Sequence, residues 1–158
     1  MTTIHLTSFF PASAEVLFDL ARHIGVHKES MSKYKEEAVA GTRFGLMEKG
    51  ETVTWKGKHF YRDRIIRMKV TEMKKPELFI VEQVQGNFKS LKHEYHFKTC
   101  ENGALLINLF HYEMKHGWIG KIIDRLVLRR YFKNMLEQRN QTIRNYAVSG
   151  RWKPLLNK

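Results

Sequence analysis

The sequence holds a single cysteine, Cys100, in 158 residues. An internal disulfide framework is therefore impossible, which fits a reducing compartment. Proline is nearly as scarce. Pro11, Pro76 and Pro154 are the only three, so no Pro-rich linker divides the chain. Low-complexity tracts and internal repeats are missing as well. No stretch approaches the ~20 apolar residues of a membrane span. The opening "MTTIHLTSFFPAS" has neither a basic start nor a long apolar run, and does not read as a signal peptide. Nothing resembles a nucleophile elbow. No HxxxH or CxxC spacing offers a metal site, although His27, His59 and His93 are histidines that folding can bring together. Acidic residues are few: 16 Asp and Glu stand against 28 Lys and Arg, for a net charge of +12. These absences leave a cytoplasmic chain of one domain, able to bury roughly two-thirds of its unfolded surface. Its basic surface favours anionic partners such as RNA, acidic lipid or acidic ligands.

What is present is a change of period along the chain. "TIHLTSFF" alternates as a strand and ends at Pro11. Ser13 is placed to cap a helix whose apolar positions are Val16, Leu17, Leu20, Ala21 and Ile24, with Gly25 as its stop. "VHKESMSKY" reads as a second short helix or an ordered loop. From Glu37 to Met114 the period is two. "AVAGTRFGLM", "TVTWKGKHF", "IIRMKVTEM", "LFIVEQV", "LKHEYHFK" and "ALLINLFHYEM" read as six consecutive strands with short turns between them. In "LFIVEQV" two facings compete, Ile80, Glu82 and Val84 against Phe79, Val81 and Gln83. After Gly117 the pattern is helical to about Val148. Ile119, Ile122, Ile123 and Leu126 form one apolar stripe, and Leu128, Phe132, Met135, Ile143 and Tyr146 another, displaced around the helix. Such a helix must be covered on more than one side near its start, or bend. The fold class is thus α+β: an antiparallel sheet of about six to seven strands curled around a long C-terminal helix, with one or two short helices after the first strand.

The inner face of that sheet is unusually polar. Alternation sends His59, His93, Tyr95, Asn108 and Tyr112 to the helix side, beside Trp55. A buried polar group without a partner costs roughly 1–3 kcal/mol. So many on one face suit a cavity better than a dry core. Trp55, Ile66, Met68, Phe97, Phe110 and Leu126 are expected as its apolar walls, and the polar five as its orienting end. His59 and His93 are the residues of the right type for a general base. Binding rather than turnover is the expectation, with no cofactor and no metal. Lys121, Arg125, Arg129 and Lys133 recur every four residues along one helical edge and are candidates for an anionic surface, RNA or acidic lipid. The sheet's outer face carries no aromatics for base stacking. The helix shows no clean amphipathic face of low hydrophobicity for membrane insertion.

The order of elements resembles the START-like, or SRPBCC, superfamily with its helix-grip fold. "GLMEKGETVTWKGKHF", "GNFKSLKHEYHF" and "DRLVLRRYFKNMLEQRN" are similar to segments of a bacterial subgroup described as polyketide cyclase/dehydrase-like or cell-division-inhibitor-like. The resemblance spans nearly the whole chain and implies a single START-like domain over residues 1–158. It implies binding of a hydrophobic or amphipathic small molecule, lipid-, quinone- or polyketide-like, between sheet and helix. A ribosome- or RNA-associated role and a cyclase- or hydrolase-like activity are the alternatives that the superfamily suggests. Asn87, Leu91, Tyr95 and Asn108 stand where the subgroup usually has Pro, Trp, His and Asp. These departures weaken any proton-transfer role built on that His or Asp.

Overall fold

The computed structural model describes residues 1–157. The elements, in chain order, are β1 (Thr2–Phe10), α1 (Ala14–Ala21), α2 (Ile24–Ser30), a 3-10 turn (Ser32–Tyr34), β2 (Glu37–Gly41), β3 (Thr52–His59), β4 (Arg62–Lys74), β5 (Leu78–Gln85), β6 (Ser90–Cys100) and β7 (Gly103–Glu113). The C-terminal helix follows as α3 (Gly117–Ile123), a π-turn (Asp124–Leu128) and α4 (Arg129–Ser149), with a short α5 (Trp152–Leu156) after it. The seven strands form one antiparallel sheet in the order β1-β7-β6-β5-β4-β3-β2. No helix is long and apolar enough to cross a membrane among the described residues.

Local chemistry explains most of the boundaries. The Ser13 hydroxyl accepts from the Val16 amide at 3.2 Å and opens α1, a cap worth roughly 0.5–2 kcal/mol. Gly150 closes α4 in the left-handed region, φ 73°, where a Cβ would be penalised. Strands β6 and β7 alternate as their sequences require. Leu91, His93, Tyr95 and Phe97 on one, and Leu106, Asn108, Phe110 and Tyr112 on the other, are all buried. β5 settles on the second facing. Phe79 and Val81 point to the helix, and Glu82 pairs in register with Lys69 and Lys92 on the outer face.

Three expectations are corrected. The first helix ends at Ala21, before Gly25. Arg22 leaves it because its guanidinium is held by Asp19 at 2.7 Å and by the Met47 carbonyl at 2.9 Å, both inside the protein. α2 then starts at once, capped by the His23 ring on the Gly25 amide. The strand expected through Met47 stops at Gly41. The chain beyond it is captured by the α1–α2 junction, the Ile24 amide donating to Gly45 and the Met47 amide to Arg22.

The third correction concerns the long helix. Its first apolar stripe is not covered: Ile119, Ile122, Ile123 and Leu126 face solvent. The π-turn inserts extra backbone between the stripes, so the second stripe alone turns to the sheet. Leu128, Phe132 and Leu136 are buried. The core is therefore split. Phe18, Phe79, Phe97, Leu106 and Ile143 fill the end near α1, with Phe18 edge-on to Phe79 at 5.3 Å. Val53, Trp55, Met68, Phe110 and Phe132 form a second cluster, and this one surrounds empty space.

Candidate functional site

That space is a cavity of about 650 Å³ between the sheet and α4. Its walls are mainly apolar. β3 supplies Val53 and Trp55, β4 Ile66, Met68 and Val70, β6 Leu91, and β7 Phe110. The helix contributes a row at four-residue spacing, Val127, Tyr131, Met135 and Arg139, which puts one residue per turn on the same face.

One group of polar side chains in the lining gathers around Glu36, which is 8% exposed. The carboxylate accepts from two imidazoles. His27 Nε2 lies 2.7 Å from Oε2 and His59 Nε2 lies 2.8 Å from Oε1. Burial alone would raise the pKa of Glu36. The hydrogen bonds from His27 and His59 outweigh it and hold the carboxyl down to about 2. Glu36 is thus an anion at any ordinary pH and can only accept. Both histidines must donate to it from Nε2.

The other ring nitrogens complete the assignment. Arg139 Nη1 bonds to His27 Nδ1. A guanidinium has only donors, so this nitrogen accepts and His27 is the neutral Nε2–H tautomer. Burial and the adjacent Arg139 charge agree, both lowering its pKa. His59 Nδ1 meets the Tyr131 hydroxyl. Burial, with Tyr34 close by, raises the pKa of that phenol, so it stays protonated. The result is a hydrogen-bonded chain, Tyr131–His59–Glu36. It has the logic of a proton-transfer triad: a hydroxyl, an imidazole and a carboxylate that fixes the imidazole. Ring contacts hold it in place. His27 stacks on Trp55 at 4.1 Å and Tyr34 on His59 at 4.8 Å.

Arg139 places a positive charge beside this cluster. Nη2 donates to the Ala21 carbonyl at 2.6 Å and the guanidinium lies over the Tyr95 ring at 5.1 Å. Its Nε is buried without a hydrogen-bond partner among the described residues. The cluster also depends on a missing atom. A Cβ at Gly57, on the inner face of β3, would come within 2.6 Å of Glu36 Cγ. Only glycine lets the carboxylate reach between the two rings.

Of the residues singled out from sequence, Trp55, His59, Ile66, Met68, His93, Tyr95 and Phe110 line the cavity. Four do not. Phe97 belongs to the packed end of the core. Asn108 is fully buried, accepting from His93 at 2.9 Å and donating to Asn140 at 3.3 Å. The Tyr112 hydroxyl donates to Asp124 and ties β7 to the π-turn. Leu126 is 73% exposed, because the π-turn rotates it away from the sheet. His27 and His59 meet on Glu36, whereas His93 turns to Asn108, so the three histidines do not share one point. Lys121, Arg125, Arg129 and Lys133 are all exposed. Sequence reasoning missed Glu36, Tyr131 and Arg139. The i, i+4 row from Val127 to Arg139 could have exposed two of them; Glu36, beside Glu37 at the start of a strand, gives no periodic signal.

In sequence, no protein-family model and no curated protein matches the chain. In structure it has many counterparts. TTHA0849 from Thermus thermophilus has a TM-score of 0.76 at 14% identity, over 94% of this chain and 99% of that one. Major latex-like protein 151 from Panax ginseng gives 0.68 at 13% identity, over 92% and 97%. A norcoclaurine synthase point mutant from Thalictrum, in complex with a transition-state analogue, gives 0.70 at 13% identity, over 95% and 96%. Identities this low speak for the fold alone, and on that ground the chain shares the helix-grip fold of these structures.

Proposed function

We propose that the protein binds an apolar small molecule in the cavity between sheet and helix, with one acceptor-bearing end, such as a carbonyl or carboxylate, seated near Arg139 and Tyr131. The observation that carries this reading is the asymmetry of the cavity. Its volume lies within the range of small-molecule sites, ~300–1,000 Å³. Its walls are mainly aliphatic and aromatic, and on one side they carry a single hydrogen-bonded polar cluster, Glu36 with His27, His59 and Arg139. A ligand that left this space empty of water would bury apolar surface on both sides. Its acceptor would also satisfy the Arg139 Nε, which otherwise is a buried donor with no partner among the described residues.

The test uses 1-anilinonaphthalene-8-sulfonate, an apolar probe with an anionic end. Saturable fluorescence enhancement at one site per chain is expected. Leu91→Trp, which fills the cavity, should abolish it, and Arg139→Met should weaken it about tenfold while the protein still unfolds cooperatively. Probe binding that ignores both substitutions would refute the reading. Native mass spectrometry of freshly purified protein would look for a molecule carried from the cell.

A second reading, an enzyme acting on the bound molecule, is supported by the Tyr131–His59–Glu36 chain. Such a pair could take a proton from the carbon beside a carbonyl and return one to it. 2-Tetralone in deuterated buffer provides a measurement. His59 would remove the α-proton to give an enolate, and solvent would return deuterium to the carbon. Exchange above the buffer rate, lost in both His59→Gln and Tyr131→Phe, would support this reading. Exchange at the buffer rate would leave a binding protein.

A further inference from the structure

The start of the C-terminal helix turns its largest apolar side chains outward. Trp118 is 72% exposed, and Ile119, Ile122, Ile123, Leu126 and Val127 are exposed with it. The β3–β4 hairpin does the same. Tyr61 at its tip is fully exposed, and Phe60 and Ile65 are open to solvent. The two patches meet at the cavity mouth. Phe60, Ile65, Ile123 and Val127 all line that cavity, and the Phe60 ring lies 4.4 Å from that of Tyr131 on the helix. Exposed apolar residues scattered singly are ordinary, but a contiguous set rimmed by charge marks an interaction site.

The hairpin tip adds a second observation. Phe60 and Tyr61 have φ of 52° and 60°. Two consecutive left-handed residues form a turn that Asn-Gly makes at least cost. Aromatic residues there are strained, and Tyr61 gains no burial in return.

The rim is basic. From residue 115 to 133 the cations are Lys115, Lys121, Arg125, Arg129, Arg130 and Lys133, against one acid, Asp124. The Asp124 carboxylate is already taken by the Tyr112 and Thr2 hydroxyls. Arg62 and Arg64 flank the hairpin tip, with Asp63 between them. We propose that this face docks on an anionic lipid bilayer. Tyr61, Trp118, Ile122 and Leu126 enter the boundary between headgroups and acyl chains. Lys121, Arg125, Arg129 and Lys133 meet the lipid charge. Apolar burial and attraction to acidic lipid add together in such a contact. A second copy of the chain fits less well, since a two-fold contact would set these cations against themselves. RNA has no use for exposed isoleucine and leucine. Docking would bring the mouth of the cavity against the bilayer.

The experiment is sedimentation with vesicles of 70:30 phosphatidylcholine:phosphatidylserine and of phosphatidylcholine alone, at 50 and 150 mM salt, with the cavity unloaded. Wild-type protein should bind the acidic vesicles at least tenfold more tightly than the neutral ones. Trp118→Ser with Ile122→Ser and Leu126→Ser should cost at least tenfold on acidic vesicles at 150 mM salt. Lys121, Arg125, Arg129 and Lys133 changed to Gln should remove the preference for phosphatidylserine, by roughly fivefold per charge. All changed side chains are exposed, so unchanged thermal unfolding of both variants is expected and checks the result. Because Trp118→Phe keeps the burial, it should bind nearly as wild type. No vesicle binding by the wild type overturns the proposal. So does binding that survives the serine variant, and so does a concentration-dependent dimer abolished by that variant. Tight RNA binding at 150 mM salt with no vesicle binding would also refute it. The anilinonaphthalene titration of the same variants reads the cavity separately, so the two proposals fail independently.

Discussion

Glu36→Gln tests the electrostatics of the cavity's polar end with almost no change in shape. The carboxyl's pKa falls from its ordinary 4.5 to about 2 on folding. At 1.36 kcal/mol for each tenfold difference, this is worth roughly 3 kcal/mol at neutral pH. The group is buried, so solvent screening takes little from the figure. The sign is that of a depressed carboxylate. Its contribution is complete above pH 4.5 and is lost as pH falls towards 2. Glutamine keeps one acceptor but presents an amide N–H to the other imidazole. His27 cannot change tautomer, because Arg139 donates to its Nδ1. His59 can, accepting at Nε2 and donating from Nδ1 to the Tyr131 oxygen. The variant should therefore fold, with less stability. Urea unfolding at pH 7 should show a deficit of roughly 3 kcal/mol, about 6–12 °C in Tm for a domain of this size. At pH 3 the gap should shrink to less than half. Equal stability at pH 7, or a gap that ignores pH, would refute the assignment of Glu36 as an anion held by His27 and His59.

Three further outcomes are expected. His93→Phe leaves Asn108 Oδ1 buried without a donor and should cost roughly 1–3 kcal/mol in the unliganded protein; an unchanged melting temperature would mean that the His93–Asn108 bond is not formed. His27 and His93 have pKa values lowered on folding, chiefly by burial and then by Arg139. Their contribution is present above the unfolded value of 6.5 and is lost as pH falls. Wild-type stability should therefore decline below pH 6.5, with a shallower decline between pH 6.5 and 5 in His93→Phe; parallel curves would remove His93 from the account. Ser13→Ala should cost roughly 0.5–2 kcal/mol by denaturant unfolding, through the lost cap on α1, and no measurable change would show the cap to be idle.

The strands are the most legible part of the chain. In "LKHEYHFK" and "ALLINLFHYEM" each side chain has only two faces to choose from, and polarity decides between them. β5 is ambiguous because both of its faces carry apolar residues, and only pairing with Lys69 and Lys92 places Glu82 outside. The long helix is legible in extent but not in phase. One π-turn changes which residues lie towards the sheet, and nothing in "DRLVL" announces it. Leu126 is misassigned to the cavity for that reason. Half of the polar end can be read from sequence and half cannot. His59 and Trp55 sit on an alternating strand, where facing can be counted. Glu36 sits at the entry to a short strand, and its role arises from partners 9 and 23 residues away in sequence. Tertiary contacts of that kind leave no local pattern.

The bare backbone at Gly57 gives a way to separate folding from chemistry. A methyl group there would press on Glu36 Cγ, on the Tyr34 carbonyl at 3.2 Å and on His59 Nε2 at 3.3 Å. Gly57→Ala would thus spread the carboxylate and imidazoles apart while leaving every ionisable group of the cavity in the chain. The usual way to disable such a cluster removes a charge and confounds loss of a functional group with loss of position. Here geometry can be varied at constant composition. If activity or affinity belongs to the arrangement, the alanine variant loses it with all its acids and bases intact. If it belongs to the groups themselves, the variant keeps it.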